Sequence, residues 1–314
     1  MSVYKVIADG PLDSTVLGFA GPTIRFLDWD LAVRGTEEPV DGIYTYGHPD
    51  LDGAMLDRLP GVRVISNYGV GVDHINVPDA AMRGIPVGNT PNILDGATAD
   101  AGFALLLAAA RRVVTGDRHA RSSEFLHYDP GFMLGREAHS TTLGIVGLGN
   151  IGRQVARRAR GFDMRVLYRN RRRRVREERE LGVEYVTLDE LLRQSDYVML
   201  TCPLTEETRH LIDAGALRRM KPTATLINIS RGPVVDTEAL HEALRDGEIE
   251  SAGLDVTDPE PLPRDHPLLG LENVTILPHL GSATIETRRE MARISIENLK
   301  LGLKGEPLLH TVEP

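Results

Sequence analysis

Gly147-Leu148-Gly149-Asn150-Ile151-Gly152 is a G-x-G-x-x-G run, and its surroundings restrict the fold more than any other feature of the chain. It follows the apolar stretch Leu143-Gly144-Ile145-Val146 and opens a helical stretch, Arg153–Arg160, with a second strand-like run, Met164–Tyr168, at βαβ distance. Glycine at 147 permits the tight turn, glycine at 149 lets backbone approach a pyrophosphate, and glycine at 152 lets helix and strand lie close. The helix N-terminus adds unpaired N–H groups and a positive dipole end. A glycine-rich turn without a ligand is the plain alternative, and the strand–turn–helix context argues against it. A dinucleotide is therefore expected here, on Leu148, Asn150 and Ile151 as well as the three glycines.

The end of the second strand discriminates between dinucleotides. An NAD site carries Asp or Glu there, about 20 residues past the first glycine, to bond the ribose 2′-hydroxyl. This chain has Arg169-Asn170-Arg171-Arg172-Arg173-Arg174, with no carboxylate before Glu177. Guanidinium forks suit a 2′-phosphate, so NADP(H) is favoured over NAD(H), with Arg169, Asn170, Arg171 and Arg172 at the adenosine end. Some of these arginines, Arg176 beside Glu180 for instance, are expected to make ordinary surface pairs.

The rest of the chain alternates β-branched runs with helical ones, which argues for parallel sheets flanked by helices. Strands are expected at Lys5–Ala8, Ile24–Leu27, Gly42–Tyr46, Val62–Ser66 and Val87–Asn89, with a helix at Asp50–Leu59, as a small flavodoxin-like sheet. A long apolar helix follows from about Asp95 to Val114. A second series runs through Thr142–Val146, Arg165–Tyr168, Tyr197–Cys202, Thr225–Ile229, Ser251–Val256 and Val274–Leu277. Between the later strands, Thr237–Asp246 reads as a helix capped by Thr237 and ended by Gly247. The last helix, Ile285–Leu303, is expected to return to the first sheet. The reading is an α/β chain of two doubly wound parallel-sheet domains. Residues 1–97 plus 286–314 form a discontinuous, flavodoxin-like substrate domain, and residues 98–285 an inserted Rossmann NAD(P)-binding domain, with a ligand expected in the cleft between them.

Three segments of the second series leave strands in polar residues: Asn228-Ile229-Ser230-Arg231-Gly232, Asp255-Val256-Thr257-Asp258-Pro259-Glu260, and Pro278-His279-Leu280-Gly281-Ser282. C-terminal strand ends converge on the crevice of a doubly wound sheet, so Arg231, Glu260 and His279 are expected to meet. Carbonyl reduction by hydride needs a fixed cation for the substrate carboxylate and carbonyl, which suits the planar Arg231. It also needs an acid for the developing alkoxide, which suits His279, oriented and favoured in its protonated form by Glu260. Each residue alone has an ordinary reading as a surface ion pair or loop residue.

These motifs, in this order, resemble the D-isomer-specific 2-hydroxyacid dehydrogenases, nearest the glyoxylate/hydroxypyruvate reductase branch. The likeness runs through Gly147–Gly152, Asn228–Gly232, Ala252–Val256, Asp258–Pro263 and Leu277–Thr284, and upstream through Gly69-Val70-Gly71-Val72-Asp73-His74. The resemblance implies that Arg231 binds the substrate carboxylate and carbonyl, and that His279, paired with Glu260, donates the proton. It implies carboxylate-binding backbone at Val70 and Gly71, with Gly281 and Ser282 also on the substrate. Asp255 is implied beside the nicotinamide, and Thr98, Cys202, Pro203, Thr208 and Ile229 along the cofactor groove. Where many relatives carry tryptophans before the Rossmann strand, this chain has Glu124-Phe125 and Gly131-Phe132-Met133, which leaves substrate choice open.

The expected activity is NADPH-dependent reduction of a small 2-oxo acid, glyoxylate or hydroxypyruvate, to the D-2-hydroxy acid. Alternatives are a dehydrogenase of another D-2-hydroxy acid and, in a different class, an NAD(H)-sensing corepressor-like binding protein. Proteins of that last kind carry extra tail segments, whereas this chain stops at Pro314. A formate-type enzyme would pair its histidine with glutamine, and a long phosphoglycerate dehydrogenase would add a regulatory domain. No Lys or Arg stands within Tyr44–His48 or Tyr68–His74, which argues against a phosphorylated substrate. The net charge of −9 disfavours nucleic acid and acidic membranes. One cysteine, Cys202, excludes an intrachain disulfide and a cysteine-based metal site; no metal is expected. No signal peptide or membrane span is read, so the expected location is cytoplasmic. The apolar helix with Leu105, Leu106 and Leu107 carries more hydrophobic surface than one sheet face covers, and the resemblance places it in the two-fold interface of a homodimer, with simple core burial as the alternative.

Overall fold

The computed structural model describes residues 3–314. By contact the chain divides into two units, Met1–Leu94 with Thr284–Pro314, and Asp95–Ala283. The sequence boundaries at 97/98 and 285/286 fall a little inside helices, because the helix starts themselves, at Asp95 and Ile285, mark the change of unit.

In the first unit β1 (Tyr4–Ala8), α1 (Ser14–Ala20), β2 (Ile24–Asp28), α2 (Asp30–Arg34), β3 (Gly42–Thr45), α3 (Gly53–Asp57), β4 (Ile65–Asn67), α4 (Val77–Met82) and β5 (Val87–Gly88) alternate. The five strands are parallel in the order β2-β1-β3-β4-β5, the flavodoxin-like arrangement.

The second unit opens with α5 (Asp95–Ala110) and α6 (Val113–Ala120) and continues β6 (Thr142–Val146), α7 (Asn150–Arg160), β7 (Arg165–Arg169), α8 (Val175–Leu181), β8 (Glu184–Tyr185), α9 (Leu188–Gln194) and β9 (Tyr197–Leu200). It ends with α10 (Ala214–Arg219), β10 (Thr225–Asn228), α11 (Thr237–Arg245), β11 (Ser251–Leu254) and β12 (Val274–Ile276). Its seven parallel strands run β12-β11-β10-β9-β6-β7-β8, so the order reverses at β6/β9, the switch point where a Rossmann sheet takes its dinucleotide. The final helix, α12 (Ile285–Lys304), belongs to the first unit: Ser295 meets Tyr44 Oη through its hydroxyl at 2.9 Å and Ser66 Oγ through its carbonyl at 2.7 Å.

Four details differ from the sequence reading. The helix expected to reach Val114 stops at Ala110, because Arg112 turns left-handed at φ 51° and starts a separate helix. The cap of α11 is Asp236, whose carboxylate accepts from Ala239 N at 3.1 Å; Thr237 is already helical and spends its hydroxyl on Asp258 O. The helix after the glycine turn begins at Asn150, with Gly149 as its cap. The two-residue edge strand β8 was not anticipated, being too short to carry an alternating pattern.

Burial of α5 follows from its composition. A helix apolar on all sides belongs inside, and here it packs on α7 and on β10 and β11, with Leu105 at 1% and Leu106 at 0% exposure. Core packing accounts for Leu105 and Leu106, while Leu107 is only partly buried. Of the large apolar side chains left exposed, Phe125, Leu126, Tyr128, Phe132 and Leu134 lie close together in the segment that follows α6. No helix among the described residues is long and apolar enough to cross a membrane.

Candidate active site

Each glycine of the turn between β6 and α7 has a distinct physical reason. Gly147 sits at φ 106°, and a Cβ there would lie 2.6 Å from Cys202 N. A Cβ at Gly152 would lie 2.2 Å from Gly147 O, so only glycine lets α7 close on the turn. At Gly149 a Cβ would meet nothing within 4 Å. That open ground lies at the N-terminus of an eleven-residue helix, whose first-turn amides have no intrahelical acceptor. The turn fits a pyrophosphate; held there, the dinucleotide would supply a nicotinamide as hydride carrier.

Beside it, Asn170 Oδ1 accepts from Leu148 N at 2.6 Å, so the residue standing where an NAD site has its acid braces the glycine turn. The arginines divide by task. Arg173 forks onto Glu178 with two bonds of 2.8 Å; with the Tyr168 hydroxyl this holds the Glu178 carboxyl down at about 2. Arg176 pairs with Glu180. Arg169 bonds to the Tyr185 hydroxyl. Arg171 is exposed, with a long contact to Glu207 of 3.4 Å, and Arg172 makes no ion pair among the described residues.

Among the implied groove residues, Thr208 Oγ1 ties Pro203 O at 2.7 Å and accepts from Thr205 N at 2.8 Å, shaping the loop after β9. Burial pushes the Cys202 thiol up to about 11, which makes it inert as a nucleophile. Ile229 turns its side chain into the core against Gly102 of α5. Thr98 is buried against Gly281, where a Cβ would stand 3.2 Å from Thr98 Cγ2; Ser282 beside it is buried too.

The polar strand ends form one assembly. His279 Nδ1 meets Glu260 Oε1 at 2.7 Å, with both side chains partly exposed. A carboxylate on Nδ1 fixes the ring and leaves Nε2 as the nitrogen that can exchange a proton with a ligand. His279 itself sits left-handed at φ 55°, a conformation that surrounding structure must enforce. Asp255 enforces it. Its carbonyl accepts from His279 N at 2.9 Å, and its carboxylate oxygens accept from Leu280 N at 2.6 Å and Gly281 N at 2.8 Å. The buried carboxylate implied to sit beside a nicotinamide is thus engaged in clamping the histidine turn.

Arg231 follows β10, half-buried, with Nη1 on Ser230 O at 2.9 Å. Two neighbours given no role by the sequence reading fix its backbone. Asn228 accepts from Ser230 N at 3.0 Å and donates to Arg231 O at 2.9 Å. Gly232 lies so close to the next strand end that a Cβ would stand 1.9 Å from Thr257 O. An Asn at a strand end before Ser-Arg-Gly is a recognisable Asx-turn signal; the glycine contact is long-range and leaves no such mark.

In the first unit, the loop holding Val70 and Gly71 has its carbonyls gripped from one side. Asn67 Nδ2 donates to Gly69 O at 3.2 Å and Gly71 O at 2.9 Å, and Asn89 Nδ2 donates to Val70 O at 2.9 Å. The amides of Val70 and Gly71 have no acceptor among the described residues, a pattern that suits an anion. The same unit corrects one expectation: Arg288 of α12 lies 5.6 Å from the Tyr68 ring, so a cation does stand beside this loop, brought there from a distant part of the sequence. Among the described residues no group of three or more His, Cys, Asp or Glu could hold a metal ion.

Comparison with known proteins agrees with this architecture. Residues 103–281 match the model of the D-isomer specific 2-hydroxyacid dehydrogenase NAD binding domain. The chain is 52% identical over 257 residues to a glyoxylate reductase of Korarchaeum cryptofilum, covering 82% of this chain and 77% of that protein. It is 48% identical over 271 residues to the glyoxylate reductase of Pyrococcus furiosus, covering 85% and 80%. Among solved structures, an NADPH-dependent glyoxylate/hydroxypyruvate reductase from Sinorhizobium meliloti, in complex with NADP and malonate, superposes with a TM-score of 0.89 at 32% identity, covering 99% of this chain and 97% of that one. Likeness of this extent, on a sheet that ends in a dinucleotide turn and a histidine–carboxylate pair, places the chain in the D-isomer-specific 2-hydroxyacid dehydrogenase family, as an NAD(P)-dependent enzyme.

Proposed function

We propose that the chain reduces glyoxylate and hydroxypyruvate to the corresponding 2-hydroxy acids, with NADPH preferred over NADH, in the cytoplasm. The observation that carries the chemistry is the 2.7 Å pair between His279 Nδ1 and Glu260, on the sheet whose glycine turn fits a dinucleotide. Arg231 binds the substrate carboxylate and polarises the 2-oxo group, with the Val70 and Gly71 amides as further carboxylate donors. A dihydronicotinamide held by the turn after β6 would supply the hydride, and Arg231 fixes the 2-carbon that receives it. His279 gives its Nε2 proton to the oxygen as charge develops there, and Glu260 orients the ring through Nδ1. Asp255 holds the histidine turn through the Leu280 and Gly281 amides, Gly281 and Ser282 border the substrate, and Thr98 and the Cys202–Thr208 loop border the cofactor. The relatives named glyoxylate reductase, and the relative solved with NADP, support substrate and coenzyme.

Steady-state kinetics with NADPH and NADH test this reading. The expected order of kcat/KM is glyoxylate and hydroxypyruvate first, pyruvate weaker, phosphohydroxypyruvate poorest. One methylene alters binding by only about 1–3 kcal/mol, so pyruvate is expected to turn over slowly. Arg288 beside Tyr68 favours a second reading, a D-2-hydroxyacid dehydrogenase for an acid with an additional anionic group. A phosphohydroxypyruvate value well above that for glyoxylate selects that reading.

We also propose a homodimer, its surface moved from α5 to the segment carrying Phe125, Leu126, Tyr128, Phe132 and Leu134. These exposed apolar side chains are crowded into one short segment rather than scattered singly, and two-fold pairing is the commonest way to cover such a face. Light scattering at micromolar concentration should give twice the chain mass; a single-chain mass contradicts the proposal.

A further inference from the structure

The arginine-rich turn after β7 is tied down at its ends and open in its middle. Tyr185, on the edge strand β8, provides the tie. Its hydroxyl accepts from Arg169 Nη1 and donates to Asn170 O at 3.2 Å. The assignment of direction is forced, because a guanidinium can only donate and a phenol has a single O–H. The Arg169 and Arg173 guanidinium carbons lie 5.5 and 6.0 Å from the Tyr185 ring centroid, within cation–π range. Further along, Arg174 N donates to Tyr168 Oη at 2.7 Å, and that hydroxyl donates to Glu178 at 2.7 Å. Residues 169, 170, 173 and 174 are therefore held, and the exposed Arg171 and Arg172 are presented between them. The Asn170 side chain sits on Leu148 N of the glycine turn. Tyr185 thus fixes the backbone of the one residue that links the arginine turn to the pyrophosphate turn.

We propose that Tyr185 is a positioning residue for coenzyme selection: by holding Arg169 and the Asn170 carbonyl, it keeps Arg171 and Arg172 in place for a 2′-phosphate. The inference rests on the NADPH reading above. An ordered pair of guanidiniums binds a phosphate without first losing loop freedom, so loosening the turn should weaken NADPH more than NADH, which lacks the phosphate and meets this turn only through the Asn170 bond to Leu148 N. A general structural role would weaken both coenzymes alike.

The test is Tyr185→Phe, which removes only the hydroxyl, with calorimetric Kd values for NADPH and NADH on wild type and variant. Two hydrogen bonds of ordinary strength are lost, so the NADPH Kd should rise by about three- to tenfold. The NADH Kd should rise by less, so that the ratio of the two Kd values moves toward NADH. An unaltered ratio of the two Kd values, or tighter NADPH binding in the variant, overturns the proposal and leaves the coenzyme reading standing. A wild type that binds NADH more tightly than NADPH overturns both.

Discussion

His279→Ala is expected to lower kcat by about a hundredfold or more, the usual worth of a positioned general acid, while the Kd for NADPH stays within about twofold. The separation follows from the fold. The imidazole stands after β12, whereas the glycine turn follows β6 and the arginines follow β7, so removing the ring leaves the dinucleotide contacts intact. Alanine must accept the left-handed φ of 55° at this position, at a cost of about 1–2 kcal/mol. His279→Asn guards against that cost, because asparagine tolerates such a backbone and still has no proton to give. Both variants should lose turnover together. If either keeps most of its kcat, the proton comes from another group.

The same pair is tested from its other side. Glu260 Oε1 lies 2.7 Å from His279 Nδ1 and holds the ring in one orientation. Glu260→Gln keeps the size of the side chain and removes the charge, so kcat should fall while the Kd for NADPH stays within about twofold. An unchanged kcat in this variant would show that the carboxylate does not serve the histidine.

Both sheets were legible because their strands are apolar runs punctuated by glycine and polar residues, and because parallel strands alternating with helices admit few topologies. The glycine turn was legible where its constraints are local, in the positive φ of Gly147 and the close approach of Gly152 to Gly147 O, and not in the contact of Gly147 with Cys202 N. Contacts between distant residues were not. Gly232 needs to be glycine because of Thr257 O, and Arg288 reaches the Tyr68 loop from α12; neither proximity leaves a periodic trace. The apolar run of α5 was visible, but a run alone cannot say whether its partner is the same chain or another copy. Here β10, β11 and α7 cover Leu105 and Leu106, and the exposed cluster from Phe125 to Leu134 lies in an irregular segment where no pattern marks it. Asp255 shows a third kind of gap: a carboxylate after a strand can face a ligand or cap a turn, and only the positions of the Leu280 and Gly281 amides decide between them.

Asn170→Asp combined with Arg171→Ala is expected to turn the coenzyme preference from NADPH to NADH, with the ratio of kcat/KM values changing by tenfold or more. In the wild type the Asn170 side chain spends its oxygen on Leu148 N at 2.6 Å. A carboxylate at the same place keeps that bond with one oxygen and turns the other to a ribose 2′-hydroxyl, while its charge repels a 2′-phosphate. Arg171 is exposed, and its contact to Glu207 is long at 3.4 Å, so its removal should cost the fold almost nothing. What the variant loses is a charge-assisted contact to phosphate, worth roughly 1.5–3 kcal/mol, or about ten- to a hundredfold in binding. The single substitutions apportion the effect. Arg171→Ala alone should weaken NADPH without helping NADH, whereas Asn170→Asp alone should do both in part. Arg172 remains in the double variant and sets the residual NADPH activity, which should fall further when it too becomes alanine. A wild type with equal or better kcat/KM on NADH, or a double variant with an unchanged ratio, would show that the arginines after β7 do not read the coenzyme.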